Sequence, residues 1–198
     1  MKQKVLLASN NAHKIKEIRA ILGDFFDIVS LREAGVESDP EETGKTFEEN
    51  ARIKAVAGMK ASGMPCIADD SGLEVLALDC RPGVMSARYS GSHGDDAANN
   101  EKLLAELADK PDRSARYVCV ICMAFPDGRE LEARGECYGE ILKEKRGNGS
   151  FGYDPLFYFP QFGKTFAEIS SEEKNEVSHR NAALKAFEKL WEKEINDK

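Results

Sequence analysis

The sequence lacks an excess of basic residues. Its 198 residues include 28 Lys and Arg against 35 Asp and Glu, which gives a formal net charge of −7. Proteins that bind the phosphate backbone of nucleic acids carry an excess of Lys and Arg on the binding face. We therefore expect no nucleic-acid polymer as a partner, although a few local cations would suffice to bind a small anionic ligand.

Long hydrophobic runs are also missing. No run approaches the roughly 20 apolar residues of a membrane span, and the four apolar residues at 5–8 are too few for a signal peptide. Five cysteines, an odd number in a chain of this length, do not indicate a disulfide framework. We expect a protein of the reducing cytoplasm that does not associate with membranes.

The sequence has no internal repeat, low-complexity tract or linker rich in Pro or Ser. Its 41% hydrophobic content is enough for a substantial core. These features predict one globular domain over residues 1–198, and they also allow two lobes. Cys119 and Cys122 form a CxxC pattern, but the apolar run 116–125 predicts a buried strand. Residues three apart on a strand face opposite sides, so we interpret both as core cysteines rather than a redox or zinc pair.

Two adjacent carboxylates follow a short apolar run at 66–68. This run predicts a buried strand that ends at Asp69 and Asp70, with Ser71 and Gly72 as turn residues. Carboxylates at a strand end are costly to desolvate, and a hard cation with oxygen ligands is a common reason to keep them there. The alternative is a solvated turn without a ligand.

Polar residues at 9–11 stand between a predicted strand at 5–8 and a predicted helix with apolar residues at helical spacing. The N-terminus of a helix after such a turn is suited to bind an anion, because its N–H groups lack intrahelical partners. Lys14 lies in the first turn, where its charge opposes the helix dipole unless an anion is near. The alternative is that these residues only cap the helix.

A second acidic pair, Glu41 and Glu42, lies in a loop before a helix that begins with a predicted capping box at Thr46 and Glu49. This pair precedes the strand of Asp69 and Asp70 by one helix. It is therefore placed to supply a further oxygen ligand to the same ion. Solvated loop charges are the alternative interpretation.

The segment 146–160 combines closely spaced glycines with Phe151, which favours close approach of the backbone to a ligand and stacking of the ring on a planar group. The alternative is an ordinary turn followed by core aromatics. Near the C-terminus, Ser170 begins another predicted capping box. His179 and Arg180 then start the last helix, where cations are disfavoured without a partner; a surface pair is the alternative there.

Together these signals fit one ligand, a nucleoside triphosphate with a divalent metal ion. The acidic residues would hold Mg²⁺, and the turn at 9–11 with nearby lysines would hold the phosphates. Phe151 would stack on the base, and His179 and Arg180 would donate hydrogen bonds to its edge.

The order of these motifs resembles the inosine triphosphate pyrophosphatase family, the house-cleaning enzymes for noncanonical purine nucleotides such as dITP and XTP. Asn10 and Ser150 stand where many members carry glycine, a difference that alters loop backbones but removes no charged group. The matching segments are spread over nearly the full chain: 9–14 with Glu17, 41–44, 46–51 with 54–55, 68–73, 82–84 with 86–89, 151–155, 172–174 and 178–180.

The resemblance implies an α/β protein, with two lobes around a long twisted mixed sheet and the active site in the cleft between the lobes. It also implies a homodimer. The implied reaction is hydrolysis of inosine, deoxyinosine or xanthosine triphosphate to the monophosphate and pyrophosphate, with Mg²⁺ as cofactor. Such a reaction removes these nucleotides from the cytoplasmic pool.

The resemblance further assigns roles to individual residues. Asp70 would accept a proton from the attacking water and would bind Mg²⁺ together with Glu42. Lys14, Lys54 and Lys174 would neutralise the triphosphate. The complete set of implied substrate-binding residues is Ser9, Asn10, Asn11, Lys14, Lys54, Ser71, Phe151, Gly152, Tyr153, Asp154, Lys174, His179 and Arg180.

Two other functions are consistent with the same residues. One is a metal-dependent pyrophosphohydrolase that acts on other modified nucleotides. The other is a nucleotide-binding module without catalysis. A protein that only binds needs no carboxylate to activate water, so the module is disfavoured by the intact set of charged residues: Glu42, Asp70, Lys14, Lys54 and Lys174.

Overall fold

The computed structural model describes residues 2–148 and 151–196. Gly149 and Ser150, which belong to the glycine-rich segment, lie outside the described residues. The helices are α1 Ala12–Leu22, α2 Leu31–Ala34, α3 Phe47–Ser62, α4 Asp96–Glu106, α5 Ser171–Val177 and α6 His179–Asn196, with short 3-10 helices at Leu76–Leu78 and Gly83–Arg88. The strands are β1 Gln3–Leu7, β2 Phe26–Ser30, β3 Cys66–Val75, β4 Arg81–Pro82, β5 Ser114–Ala124, β6 Glu130–Ile141, β7 Phe157–Phe159 and β8 Lys164–Thr165.

The strands form one mixed sheet, which confirms the expected mixed α/β fold. Its order is β2-β1-β3-β5-β6-β7-β8, with β4 paired to β3. β1 is parallel to both β2 and β3, whereas β7 is antiparallel to β6 and β8. Among the described residues, no helix has the length and apolar character needed to cross a membrane.

The chain separates into two compact units. The first unit contains Met1–Asp70, Cys119–Gly135 and Arg180–Lys198, and the second contains Ser71–Val118 and Glu136–His179. Each unit is therefore assembled from segments that are separated in sequence. The single domain over residues 1–198 stays a prediction.

The core of the first unit packs α1 and α6 against the strands. The apolar face predicted for α1 is confirmed by Ile18 and Leu22, which are fully buried. From α6, Trp191 places its ring 4.7 Å from the ring of Phe26 on β2. The buried residues of this core are Val5, Leu7, Ile18, Leu22, Phe26, Ile28, Ile67, Cys119, Ile121, Met123, Phe125, Ala133, Ala183, Leu184 and Phe187.

The core of the second unit is rich in aromatic side chains. The ring of Tyr117 on β5 lies 4.6 Å from that of Phe157 and 5.9 Å from that of Phe166. Phe157 and Phe159 are buried, as expected for core aromatics. All five cysteines of the chain are free thiols.

β3 differs from the sequence prediction. The prediction that this strand ends at Asp69 and Asp70 is wrong, since β3 continues through both residues to Val75. The alternative of a solvated turn is wrong too, because both carboxylates are buried. Cationic side chains neutralise them inside the strand, which makes burial of the two charges possible.

Two helix starts also need correction. The side chain of Thr46 caps α3 as predicted, but the carboxylate of Glu49 accepts from the backbone N of Lys45, so the reciprocal half of the capping box is absent at this helix. The short helix α2 was not predicted; it begins at Leu31 with a capping box formed by Ser30 and Glu33.

Candidate active site

Asp69 is the centre of a buried ion cluster in the first unit. The Nζ atom of Lys14 lies 3.0 Å from Asp69 Oδ1 and 2.9 Å from Oδ2. An Arg180 guanidinium nitrogen lies 3.4 Å from Asp69 Oδ2, and another donates to Glu17 at 2.8 Å. β3 supplies the aspartate, while the first turn of α1 and the first turn of α6 supply the cations.

The charges of this cluster stabilise one another. Burial alone would raise the pKa of Asp69, but Lys14 and Arg180 outweigh that effect and hold the pKa well below its usual range. Burial lowers the pKa of Arg180, and Asp69 and Glu17 more than restore it. These contacts thus favour the anionic form of Asp69 and the cationic form of Arg180.

Asp70 belongs to a separate set of contacts in the same unit. Neighbouring side chains on a strand point to opposite faces, and Asp70 pairs with Lys54, whereas Asp69 pairs with Lys14 and Arg180. The Nζ atom of Lys54 lies 2.9 Å from Asp70 Oδ1 and 2.8 Å from Glu42 Oε1. The loop before α3 carries Glu42, and α3 itself carries Lys54.

Asn50 on α3 contacts Asp70 and the loop that carries Glu42. It was not predicted as a site residue. Its side chain is fully buried. Asn50 Nδ2 donates to Asp70 Oδ2 at 3.4 Å, and Asn50 Oδ1 accepts from the backbone N of Gly44 at 2.8 Å. One amide thus fixes Asp70 and the end of the loop that contains Glu42. The sequence offered only its place within the matching segment 46–51.

The electrostatics of this second set favour a cation. Burial raises the pKa of Asp70, and the charge of Glu42 raises it further against the opposing effect of Lys54. Burial lowers the pKa of Lys54, but Asp70 and Glu42 raise it overall. Two carboxylates that repel each other and share one ammonium group form a donor set suited to a positive charge.

This donor set fits Mg²⁺. The two oxygen-bearing side chains, Glu42 and Asp70, both contact a single cationic atom. No group of three or more His, Cys, Asp or Glu side chains suited to a metal ion occurs in the described parts of the chain. A pair of carboxylates is nevertheless sufficient for Mg²⁺, which commonly retains waters and takes its other ligands from substrate phosphates.

The turn before α1 is built as a set of caps. Ser9 Oγ accepts from the backbone N of Asn11 at 3.1 Å, and Asn11 Oδ1 accepts from the backbone N of Lys14 at 3.3 Å. Asn10 Oδ1 accepts from the backbone N of Arg32 on α2 at 3.1 Å. The capping interpretation is thus confirmed for Ser9 and Asn11, while binding of phosphate by this turn stays a prediction.

The second unit contains Phe151, Asp154 and His179, which were predicted to recognise the base, and Lys174, which was predicted to neutralise the triphosphate. Phe151 is 71% exposed, and the Lys174 ammonium lies 5.4 Å from the centre of its ring. Lys174 also forms an ion pair with the buried carboxylate of Asp154. His179 stacks on the ring of Tyr117 with the ring centres 4.9 Å apart and the planes 16° from parallel.

Tyr117 joins these residues and was not predicted as part of the site. Besides stacking on His179, its hydroxyl donates to Asp154 Oδ1 at 3.2 Å. Burial and the charge of Asp154 keep the pKa of Tyr117 well above its ordinary value, so the hydroxyl stays protonated and donates. Tyr117 lies in an apolar strand, and no local pattern of residues indicates its polar partner.

Asp154 has an elevated pKa. Burial raises it, while Lys174 and the Tyr117 hydroxyl oppose that effect and Asp96 adds to it. Ordinary aspartates titrate near 3.9. The charge state of this carboxylate therefore depends on the cation and donor that face it.

Gly152, Tyr153 and Ser71 are the remaining residues predicted to bind substrate. Gly152 has a φ of 54°, in the left-handed region that favours glycine. Tyr153 is buried and its hydroxyl donates to the backbone O of Ser86 at 2.8 Å. Ser71 follows Asp70 on β3 and is partly exposed. Their roles toward substrate stay predictions.

The predicted site residues thus form two groups. One group lies in the first unit and contains acidic residues, lysines and Arg180. The other lies in the second unit and contains Phe151, Asp154, Lys174 and His179. The boundaries between the units fall within two of the matching segments, after Asp70 and after His179.

A model of the Ham1 family matches residues 5–190. The chain belongs to the Ham1 family. This membership confirms the resemblance stated from the motifs, and the match extends over both units described above.

Relatives in the Ham1 family carry a consistent name. A dITP/XTP pyrophosphatase of Desulfotalea psychrophila is 56% identical over 181 residues, which cover 91% of this chain and 81% of that protein. A dITP/XTP pyrophosphatase of Clostridium perfringens is 52% identical over 191 residues, 92% of this chain and 94% of that protein. The Staphylococcus aureus Ham1 protein has a solved structure with a TM-score of 0.90 and 45% identity, over 97% of this chain and 100% of that one.

Proposed function

We propose that this protein hydrolyses the triphosphates of inosine, deoxyinosine and xanthosine to the monophosphates and pyrophosphate, with Mg²⁺ as cofactor. Its class is a nucleoside triphosphate pyrophosphatase, as its family membership and the names of its relatives show. The observation that carries the proposal for the reaction is a pair of carboxylates, the buried Asp70 and the partly buried Glu42, joined by Lys54.

The first unit would bind and cleave the triphosphate. Lys14 and Lys54 would neutralise phosphate oxygens, and Glu42 and Asp70 would hold Mg²⁺. When bound, Mg²⁺ supplies positive charge to the triphosphate oxygens, and such charge is the main requirement of phosphoryl transfer. Asn50 holds Asp70 in place throughout.

Asp70 would act as the general base. The oxygen of a water molecule forms a bond to the α-phosphorus, the bond between that phosphorus and the bridging oxygen breaks, and pyrophosphate leaves. The water proton passes to a carboxylate oxygen of Asp70. Burial raises the pKa of Asp70, which brings its basicity closer to the neutral range where a general base works well.

The second unit would bind the purine. Phe151 offers an exposed ring for stacking on the base, and His179 and Asp154 offer hydrogen-bonding groups. Lys174, which would neutralise the triphosphate, forms an ion pair with Asp154 in this unit. With Arg180, His179 would donate to the 6-oxygen of hypoxanthine or xanthine. Adenine would present an amino group to these donors and leave polar groups unpaired, at a cost of roughly 1–3 kcal/mol each.

The test is product release from inosine, xanthosine, guanosine and adenosine triphosphates, with Mg²⁺ and with a chelator. We expect fast release of pyrophosphate and monophosphate from the first two, little from the others, and none with chelator. Asp70→Asn should reduce turnover by about 10²–10⁴-fold, the usual contribution of a general base. Asp24→Asn, a change at an exposed aspartate of the same unit, is the matched control and should retain turnover.

Other outcomes would redirect the proposal. Release of inorganic phosphate would mean that a different bond is cleaved. Turnover of other modified nucleotides alone would favour the broader pyrophosphohydrolase, and binding without turnover would favour the nucleotide-binding module. Wild-type turnover in Asp70→Asn would remove the general base from the mechanism.

We further propose that the protein removes these nucleotides from the cytoplasmic pool and works as a homodimer. The free thiols of all five cysteines support a reducing compartment. The resemblance to the family supports the dimer. Light scattering during size-exclusion chromatography tests whether the protein is a homodimer. A measured mass of one chain, 21.9 kDa, would contradict the dimer.

A further inference from the structure

Helix α4 holds the peptide backbone of Gly152 from two sides. The backbone N of Gly152 donates to Asp96 Oδ2 at 2.6 Å, and the backbone O of Gly152 accepts from Asn100 Nδ2 at 2.8 Å. Asp96 and Asn100 are four residues apart and thus lie on the same face of the helix. We refer to these two side chains as the Gly152 clamp.

The clamp is itself fixed in position. Asn100 is buried, and its Nδ2 atom donates to the backbone O of Asp96 at 2.6 Å as well as to Gly152. Asn100 Oδ1 is buried without a hydrogen-bond partner among the described residues. Proteins rarely leave such an acceptor unsatisfied. We infer that the Asn100 amide keeps this orientation because its Nδ2 atom donates to the backbone O of both Asp96 and Gly152.

The clamp acts on the turn that carries the base-binding side chains. Gly152 lies directly after Phe151 and two residues before Asp154, whose backbone N donates to Phe151 O at 3.2 Å. The exposed ring of Phe151 has little packing of its own. The direction in which Phe151 and Asp154 project from this turn therefore depends on the orientation of the Gly152 peptide, which α4 determines.

We propose that Asp96 and Asn100 are positioning residues for purine recognition, acting through the Gly152 peptide on Phe151 and Asp154. This inference rests on the proposed function, because it takes the turn to be the base-binding element. Neither residue would touch the triphosphate or the first-unit carboxylates in this role. The clamp should thus affect affinity for the base and leave the chemical step alone.

The experiment compares Asp96→Ala and Asn100→Ala with the wild type. Two probes are bound at equilibrium: inosine monophosphate, which carries the base, and inorganic pyrophosphate, which does not. We expect each substitution to raise Kd for inosine monophosphate and KM for inosine triphosphate about tenfold, the effect of losing one hydrogen bond to a positioned group. The Kd for pyrophosphate and kcat should change less than about twofold.

Asn99 provides the matched control. It is a buried asparagine on the same helix, but its side chain bonds to the backbone of Ser90 and Ala87 instead of Gly152. Asn99→Ala should lower thermal stability without changing affinity for inosine monophosphate. Asp96→Asn retains an oxygen that can accept from Gly152 N and should restore most of the affinity lost in Asp96→Ala.

Amide hydrogen exchange at Gly152 reports on the clamp without any ligand. We expect faster exchange of this amide in Asp96→Ala, while amides of the second-unit core keep their protection. Unchanged affinity in both folded alanine variants, or an equal loss in Asn99→Ala, would overturn the inference. If the wild type neither binds inosine monophosphate nor cleaves the triphosphate, the proposed function fails instead, and the exchange at Gly152 alone decides whether the clamp holds the turn.

Discussion

Asp154 is a carboxylate whose charge state depends on its neighbours. It is buried in the second unit, where Lys174 forms an ion pair with it and Tyr117 donates to it. Asp96 is the other charged group that affects it, and it acts in the opposite direction. Burial and Asp96 outweigh Lys174 and Tyr117, so the pKa of Asp154 is raised overall. As pH falls, this residue therefore becomes protonated at a higher pH than an ordinary aspartate does.

The first prediction concerns the pH dependence of base binding. As pH falls through the raised pKa of Asp154, the carboxylate is protonated and Lys174 loses its counter-charge. We expect KM for inosine triphosphate to increase by up to about tenfold per pH unit below that pKa, starting above the ordinary value near 3.9. The measurement is the ratio of KM between wild type and Asp154→Asn across pH, in which titration of the substrate cancels.

In Asp154→Asn, KM should not show this increase at low pH, since an amide does not titrate. A ratio that is constant from neutral pH to pH 4 would show that Asp154 does not control binding of the base. The kcat values serve as the internal control, because the prediction assigns the effect to binding and not to the chemical step.

The residue scale also shows what a sequence pattern can locate. Glu42 and Asp70 were predicted because carboxylates beside a predicted strand and helix stand out in the sequence, whereas Lys54 was predicted through the resemblance to the family. Asn50, Tyr117 and the Gly152 clamp were not predicted as site residues. Their functions depend on partners contributed by other elements, and an amide in a helix or a tyrosine in an apolar strand has no distinctive local pattern.

At the scale of elements, α5 shows how a short helix depends on its cap. The helix has seven residues, none of which is buried, so packing contributes little to its stability. Ser170 and Glu173 form the predicted capping box at its start. The same helix carries Lys174, the partner of Asp154.

The second prediction is that Ser170→Ala weakens binding of the base through α5. Loss of an N-cap typically costs about 1 kcal/mol of helix stability, and fraying of this helix would displace Lys174. We expect KM for inosine triphosphate to rise about threefold to fivefold, with a small decrease in Tm. Steady-state kinetics and thermal denaturation measure the two effects.

Ser170→Asp is the control for this prediction, because Asp is as good a cap as Ser. It should keep KM close to that of the wild type. An equal rise of KM in both variants would indicate that the Ser170 hydroxyl acts by some route other than the cap.

Elements were predicted well where one apolar face is buried, and poorly where charge and burial combine. The apolar spacing of α1 and the capping box at Ser170 were correct because these features are local. The course of β3 was not. Aspartate is depleted in strands, and here Lys14, Lys54 and Arg180 form ion pairs with the two aspartates inside the strand.

At the scale of the whole molecule, the net charge of −7 limits the partners that the protein can have. The cations of the first-unit site are mostly paired with carboxylates: Lys14 and Arg180 with Asp69, and Lys54 with Asp70 and Glu42. These local cations suit a small ligand that brings its own metal, not a long polyanion.

The third prediction is that the protein does not bind nucleic-acid polymers. We expect the Kd for a labelled duplex of about 30 base pairs to exceed roughly 10⁻⁴ M at physiological salt, weaker than ordinary non-specific binding. Fluorescence anisotropy over a range of salt concentrations measures this. Saturable binding at micromolar protein that weakens steeply with salt would contradict it and would reveal a basic surface.

The interleaving of the two units has a consequence for recombining this protein with its relatives. The segments at each end of the chain, Met1–Asp70 and Arg180–Lys198, belong to the same unit. Any chimaera made with a single crossover therefore joins two parents within the first unit. Exchanging one unit intact requires junctions after Asp70, Val118, Gly135 and His179 together. Under the proposed division of roles, phosphate chemistry and base preference would be inherited separately only in such multiple-junction hybrids.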